Sequence, residues 1–175
     1  MDIFSFIVTV VVVTASGALM PGPLFFTNIT EGSKSGAKGG LIFSVSHTIV
    51  EFSLVIALAL GLLTVAHEPT IKLVIGVAGG LALIVFGVLQ IREALTSKFA
   101  SQQSVIKEQS RNPFLLGLAF TGLNPYFILW WLLPGLTLIQ QALAFASLAG
   151  VVLMYIAHVW MDYAWLTGTA YLAKK

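Results

Sequence analysis

Two pairs of ionisable residues lie inside long apolar segments of this 175-residue sequence. His47 and Glu51 stand four residues apart in one segment, and His158 and Asp162 have the same spacing in another. Four residues make about one turn of an α-helix, so both side chains of a pair lie on one face. An ionisable group at the centre of a bilayer costs roughly 2.5–3.5 kcal/mol on insertion scales, so we expect it to serve a proton relay, an ion or a charged substrate. The two pairs therefore predict a membrane transporter.

Three kinds of chemistry are open to these four residues. An imidazole beside a carboxylate exchanges a proton near neutral pH, so His47, Glu51, His158 and Asp162 are predicted to couple transport to protons. Two imidazoles and two carboxylates also form an N2O2 ligand set for zinc, manganese or iron, which makes the alternative a divalent-metal exporter. In a third reading the pairs only join helices by hydrogen bonds, and the protein is a non-transporting membrane scaffold.

The composition places these residues in a membrane protein. Hydrophobic residues make up 58% of the chain, charged residues only 9%, and the mean hydropathy is +0.96. Soluble domains carry about one-quarter charged residues. Cysteine is absent, which excludes disulfides and thiolate metal sites. Because the sequence also lacks nucleotide-binding and nucleophile motifs, we expect no enzyme activity, no cofactor and no nucleic-acid partner.

The apolar runs predict an all-α, polytopic transmembrane helix bundle. A run of about 20 apolar residues crosses the hydrocarbon core as a helix. Five such runs are visible, near residues 3–27, 40–66, 70–91, 113–133 and 143–172. The polar segment 96–112 is predicted to be a cytoplasmic loop.

The basic residues in the links predict the orientation in the membrane. Lysine and arginine accumulate in short cytoplasmic loops. With the N-terminus outside, Lys72 is the only basic residue in an outer link. The inner links then carry Lys34, Lys38, Arg92, Lys98, Lys107, Arg111, Lys174 and Lys175. We therefore expect a multi-pass protein of the cell membrane with its N-terminus outside, in contact with the lipid bilayer.

Prolines interrupt the first and fourth runs at matching places. Pro21, Gly22 and Pro23 break or kink the first helix, and Asn124 with Pro125 does the same in the fourth. Broken helices at corresponding positions of two halves indicate a transporter site built from an internal repeat. These five residues are the predicted substrate-binding residues, with freed backbone groups, the Asn124 amide and half-helix N-termini available to a zwitterionic substrate.

The matching interruptions divide one transporter domain, residues 1–175, into two halves. The first repeat covers residues 1–95, the loop follows at 96–112, and residues 113–175 form a second, incomplete repeat. Within the first half, Gly32, Gly36 and Gly40 form a row of small residues that we expect to serve close helix packing.

The sequence resembles the lysine-exporter (LysE/RhtB) family of amino-acid efflux carriers. The resemblance rests on the segment Ala18–Pro23, the glycine-rich first loop and the segment Gly122–Trp131, and it covers essentially the whole chain. It implies a secondary exporter of amino acids or related metabolites, driven by the proton gradient without a nucleotide. The wider superfamily is said to include divalent-metal exporters.

The family pattern is six helices in a 3+3 inverted repeat, and this sequence ends directly after its fifth run. Either the sequence is shortened at its C-terminus or another subunit completes the second repeat. A homodimer is therefore one expected assembly.

Overall fold

The computed structural model describes residues 2–65, residues 112–174 and nine scattered positions between 70 and 92. Most of the predicted third span near 70–91, and all of the predicted loop 96–112 except residue 112, therefore lie outside the described residues. The described residues form helices and no strand, which confirms the all-α membrane fold. The elements are α1 (Ile3–Ala18), α2 (Pro23–Ser35), α3 (Ala37–Val65), α4 (Pro113–Gly122), α5 (Pro125–Trp130), a π-helical turn (Trp131–Gly135) and α6 (Leu136–Ala173).

The first predicted span is broken at Pro21–Pro23, as its prolines led us to expect. α1 ends at Ala18, and α2 begins at Pro23 with a bend of 74° between the two helices. Pro23 suits the first position of a helix, where its missing N–H has no intrahelical acceptor. Among the described residues, two helical stretches are long and apolar enough to cross a membrane, and the bent pair makes a third if it counts as one span.

The fourth predicted span is also broken, but its end was predicted wrongly. Asn124 separates α4 from α5, and its side chain accepts a hydrogen bond from the Tyr126 N–H at 3.0 Å. The expected link at 134–142 is helical, because the π-helical turn accommodates Pro134. The helix instead breaks at Ala146 and Ser147, whose backbone angles are not helical.

This second break folds the chain back on itself. A Cβ on Gly150 would collide with the Ala142 carbonyl oxygen. In a straight helix, residues eight positions apart lie about 12 Å from each other. The segments before and after residues 146–147 therefore pack together, and the break lies inside the predicted fifth span near 143–172.

Helix α6 is the element against which α1, α2 and α3 all pack. The core includes Phe6 from α1, Val55 from α3, and Leu138 and Met154 from α6. Phe6 also stacks on Phe145, with ring centroids 4.9 Å apart. The packing brings the middle of α3 beside the middle of α6, where the predicted ionisable residues lie.

The predicted glycine row lies at a close helix contact. A Cβ on Gly32 would lie 2.6 Å from the Ala170 Cα, and one on Gly40 would lie 2.6 Å from the Leu166 carbonyl oxygen. Only hydrogen atoms fit at these two places, so α2 and α3 approach α6 backbone to backbone. Gly36 turns the chain between α2 and α3 with a φ of 62°, a conformation that favours glycine.

Candidate functional site

The Glu51 carboxylate is the shared acceptor of a buried cluster between α3 and α6. Its Oε1 lies 3.2 Å from Nε2 of His47 and 3.1 Å from Nε2 of His158. The indole N–H of Trp131 donates to Oε1 at 3.1 Å, and the Tyr155 hydroxyl donates to Oε2 at 3.0 Å. A carboxylate has about four acceptor positions, so this group is saturated. Glu51 is only 2% exposed.

Each histidine is held at its other ring nitrogen by a threonine. Nδ1 of His158 lies 2.8 Å from the hydroxyl of Thr14 on α1. Nδ1 of His47 lies 3.1 Å from the hydroxyl of Thr121 on α4. An ionised carboxylate can only accept, so Nε2 of each ring carries hydrogen towards Glu51. The threonine hydroxyl can donate to a neutral ring or accept from a charged one, so this arrangement tolerates both protonation states.

Asp162 belongs to the same cluster but is bonded differently. Its Oδ2 lies 3.3 Å from Nε2 of His158, within ion-pair distance. That contact lacks hydrogen-bonding geometry, and no described residue donates a hydrogen bond to Oδ2. The single Nε2 hydrogen of His158 is directed to Glu51, which accounts for the difference. The two predicted His–acid pairs are thus one cluster with one saturated and one unsaturated carboxylate.

Two tryptophans close the cluster, and two glycines make room for their rings. Trp131 is 1% exposed, and a Cβ on Gly135 would lie 2.6 Å from its ring. Trp130 donates from its indole N–H to the Ser16 hydroxyl at 3.1 Å, and a Cβ on Gly17 would lie 2.7 Å from its ring. The Trp131 indole reaches Glu51 from the π-helical turn, an element that is frequent at functional sites.

A cavity of about 150 Å³ opens between the two helix breaks. Four of the five predicted substrate-binding residues line it, namely Pro21, Gly22, Pro23 and Asn124. Pro125 begins α5 directly behind Asn124. The wall also contains the cluster residues His47, Glu51, Thr121, Trp131 and Asp162, and the aromatic residues Phe25, Tyr126, Phe127, Trp130 and Trp165.

The cavity wall offers complementary chemistry for a small zwitterion. Carboxylates and aromatic faces attract an ammonium group. The first N–H groups of α2 have no intrahelical acceptor, and the start of a helix attracts a negative charge. Gly22 gives α2 no side-chain cap, so these N–H groups stay available near the cavity.

A metal ion would have to compete with the existing hydrogen bonds. His47, Glu51 and Asp162 each offer a ligand atom, and the three atoms lie within 4.8 Å of one another. Binding through Glu51 would exchange at least one of its four donors for the metal. Three members of the alternative N2O2 set therefore lie close together, and Glu51 among them already accepts hydrogen bonds from protein donors.

Sequence reasoning missed four residues that contact the cluster: Thr14, Thr121, Trp131 and Tyr155. Threonine and tryptophan are common in membrane helices, and nothing in their spacing marks these particular side chains. A weak signal was present for two of them, because Thr121 and Trp131 flank the predicted Asn124–Pro125 break.

The comparisons with known proteins give one match. The model of the LysE type translocator family matches residues 15–175, a range that includes the cluster and both helix breaks. Comparisons with curated proteins and with solved structures found no match.

Proposed function

This chain belongs to the LysE type translocator family, and we propose that it is a secondary-active, proton-coupled exporter of amino acids or amino-acid-like metabolites. Transport across a membrane is the general function of the family, which consists of translocators and not of enzymes. The observation that carries the proposal is the position of Glu51 between two histidines at the wall of a cavity that lies between two helix breaks.

The cluster suits proton coupling because it can change charge without losing its hydrogen bonds. A proton that arrives at Nδ1 of His47 or His158 turns the threonine hydroxyl from donor to acceptor, while Nε2 keeps its bond to Glu51. The change adds a positive charge beside the cavity. In a buried site, where screening is weak, such a charge strongly affects a charged substrate. Loading a proton and releasing an ammonium group can therefore be linked.

The basic residues support an orientation with the N-terminus outside the cell membrane. Lys34 lies in the last turn of α2, and Lys38 lies in the first turn of α3. The Lys174 side chain reaches the turn between these helices, since a Cβ on Gly36 would meet its Cδ at 2.6 Å. Three cations gather at one end of the bundle, which we assign to the cytoplasm.

A divalent-metal exporter is the second candidate, and the proximity of His47, Glu51 and Asp162 favours it. The four hydrogen bonds that Glu51 already accepts favour proton coupling over metal binding. Binding of zinc or manganese to the purified protein, measured by calorimetry, distinguishes the two. Micromolar metal binding that disappears in Glu51→Gln contradicts the amino-acid proposal.

The direct test is transport in proteoliposomes with an imposed pH gradient. We expect at least one member of an amino-acid panel to move in exchange for protons, and Glu51→Gln to abolish the dependence on the gradient. Asp2→Asn is the matched control, because Asp2 is an exposed acid at the start of α1 and asparagine caps a helix equally well. If the transport rate of the unmodified protein does not depend on the pH gradient, proton coupling is contradicted.

A further inference from the structure

Two buried polar atoms on residues that line the cavity have no hydrogen-bond partner among the described residues. They are Oδ2 of Asp162 and the indole Nε1 of Trp165. One accepts hydrogen bonds and the other donates. Buried polar groups are almost always paired in native proteins, so an unpaired acceptor and an unpaired donor beside one cavity need a reason. A ligand that carries both a donor and an acceptor would satisfy them together.

Asp162 differs from Glu51 in a way that suits ligand binding. Glu51 already accepts from four side chains, whereas Oδ2 of Asp162 accepts from none that the structure describes. The Asp162 residue is 5% exposed, and its side chain keeps 7% of its surface open. A buried carboxylate with free acceptor positions attracts a cationic donor, above all an ammonium group.

Trp165 follows Asp162 by three positions on α6, so the two side chains lie on the same face. The Trp165 ring stacks on Phe25, with centroids 5.6 Å apart and an angle of 18° between the planes. Phe25 lies in the first turn of α2, just after the helix break. This contact places the indole ring against a side chain of the first turn of α2, and a negative group is favoured at the start of a helix.

We propose that Asp162 and Trp165 form the subsite for the two charged groups of an α-amino acid. This inference rests on the proposed function and names how its substrate is recognised. The α-ammonium group donates to the Asp162 carboxylate, and the α-carboxylate accepts from Nε1 of Trp165 and from the first N–H groups of α2. Asp162 therefore binds substrate, while Glu51 and the two histidines hold the proton.

The cavity volume limits the first probe to a small ligand. A cavity of 150 Å³ in another protein is known to hold benzene, which has six heavy atoms. L-alanine also has six heavy atoms and carries both charged groups. Alaninamide keeps the ammonium group but lacks the carboxylate. Propionate, which has five heavy atoms, keeps the carboxylate but lacks the ammonium group.

Calorimetric titration of the unmodified protein with these three compounds tests the subsite without any substitution. We expect L-alanine to bind best, alaninamide to bind more weakly, and propionate to bind at least tenfold more weakly than alaninamide. The ammonium group and Asp162 are both charged, whereas the α-carboxylate is bound by neutral N–H donors, so loss of the ammonium group should cost more. Equal binding of all three compounds, or no binding of L-alanine, overturns the proposal.

Two substitutions then test which residue binds the ammonium group of the ligand and which binds its carboxylate. Asp162→Asn should weaken both L-alanine and alaninamide at least tenfold. Trp165→Phe should weaken L-alanine severalfold and alaninamide less, because the neutral amide oxygen of alaninamide accepts a weaker hydrogen bond than a carboxylate does. Trp160→Phe is the matched control, since Trp160 is 52% exposed on the same helix and its indole N–H donates to the Ala157 carbonyl.

The proposed subsite and the proposed export function can fail independently of each other. If Asp162→Asn and Trp165→Phe keep full affinity for L-alanine while the unmodified protein exports amino acids, the subsite is wrong and the export stands. If the binding pattern holds but no pH-driven export occurs, the subsite stands and proton-coupled export is wrong. Binding of zinc or manganese in place of L-alanine, lost in Asp162→Asn, overturns the subsite.

Discussion

The Thr14 hydroxyl lies 2.8 Å from Nδ1 of His158, although 144 residues separate the two in the chain. Thr121 and His47 repeat this relationship across 74 residues. The helix before each break thus supplies the partner of the histidine that lies in the other half of the chain. Any movement of one half against the other would change both contacts, which links the protonation of the cluster to the packing of the two halves.

Thr14→Val should impair both the stability and the pH response of the protein. Valine has nearly the shape of threonine but leaves Nδ1 of His158 without a partner, at a cost of about 1–3 kcal/mol for a buried polar group. Because valine cannot accept from a protonated ring, the pH profile of transport should move to lower pH. Thr14→Ser should restore the profile. Transport by Thr14→Val with the unmodified pH profile would show that the hydroxyl has only a packing role.

The two buried carboxylates should respond differently to neutralisation. Glu51→Gln turns one acceptor oxygen into a donor NH2 that faces other donors, so we expect a loss of about 3 kcal/mol or more in the free energy of unfolding. Asp162→Asn removes the ion pair with His158 but no hydrogen bond to Oδ2 from a described residue, so it should cost less than Glu51→Gln. Denaturation of the purified variants measures both values, and equal losses would contradict the assigned bonding.

Gly32→Ala should destabilise the contact between α2 and α6. Its Cβ would lie 2.6 Å from the Ala170 Cα, and overpacking of this kind costs about 1–3 kcal/mol. Gly168→Ala is the matched control, because nothing lies within 4 Å of its Cβ position. In a helix that substitution should gain roughly 0.5–1 kcal/mol. A thermal denaturation scan in detergent compares the two variants, and a stable Gly32→Ala would refute the close contact.

Asn124→Ala should reduce transport more than it reduces the amount of protein in the membrane. The substitution removes the cap from the Tyr126 N–H, at a cost of about 1 kcal/mol, and it also removes the amide from the cavity wall. Asn124→Asp keeps the cap and separates the two effects. Membrane quantity and transport rate should be measured on the same cells. An unchanged rate per molecule would mean that Asn124 serves the helix break alone.

Single cysteines test the orientation, since the sequence contains no cysteine of its own. Ser33→Cys lies at the exposed end of α2 beside the lysines and should react only from the cytoplasm. Asp2→Cys, at the start of α1, should react from outside. An impermeant maleimide on intact cells and on inverted vesicles gives the measurement. Labelling of Ser33→Cys in intact cells would reverse the orientation.

Local features of the chain were predictable because they depend on residues that are close in sequence. The apolar runs identified a helical membrane protein, and Pro21, Pro23 and Pro125 located two helix breaks that the structure confirms. A proline removes a backbone donor wherever it stands. The end of the fourth span was missed because the π-helical turn Trp131–Gly135 contains Pro134 and the helix continues into α6.

The sequence by itself determined that His47, Glu51, His158 and Asp162 lie within apolar helices, and that they need partners there. Only the tertiary structure decided which side chains are those hydrogen-bond partners. It made Glu51 the saturated acceptor of four donors and left Oδ2 of Asp162 without a donor among the described residues. The physical reason is that these bonds depend on the rotation and relative height of packed helices, and hydropathy and i, i+4 spacing describe each helix alone.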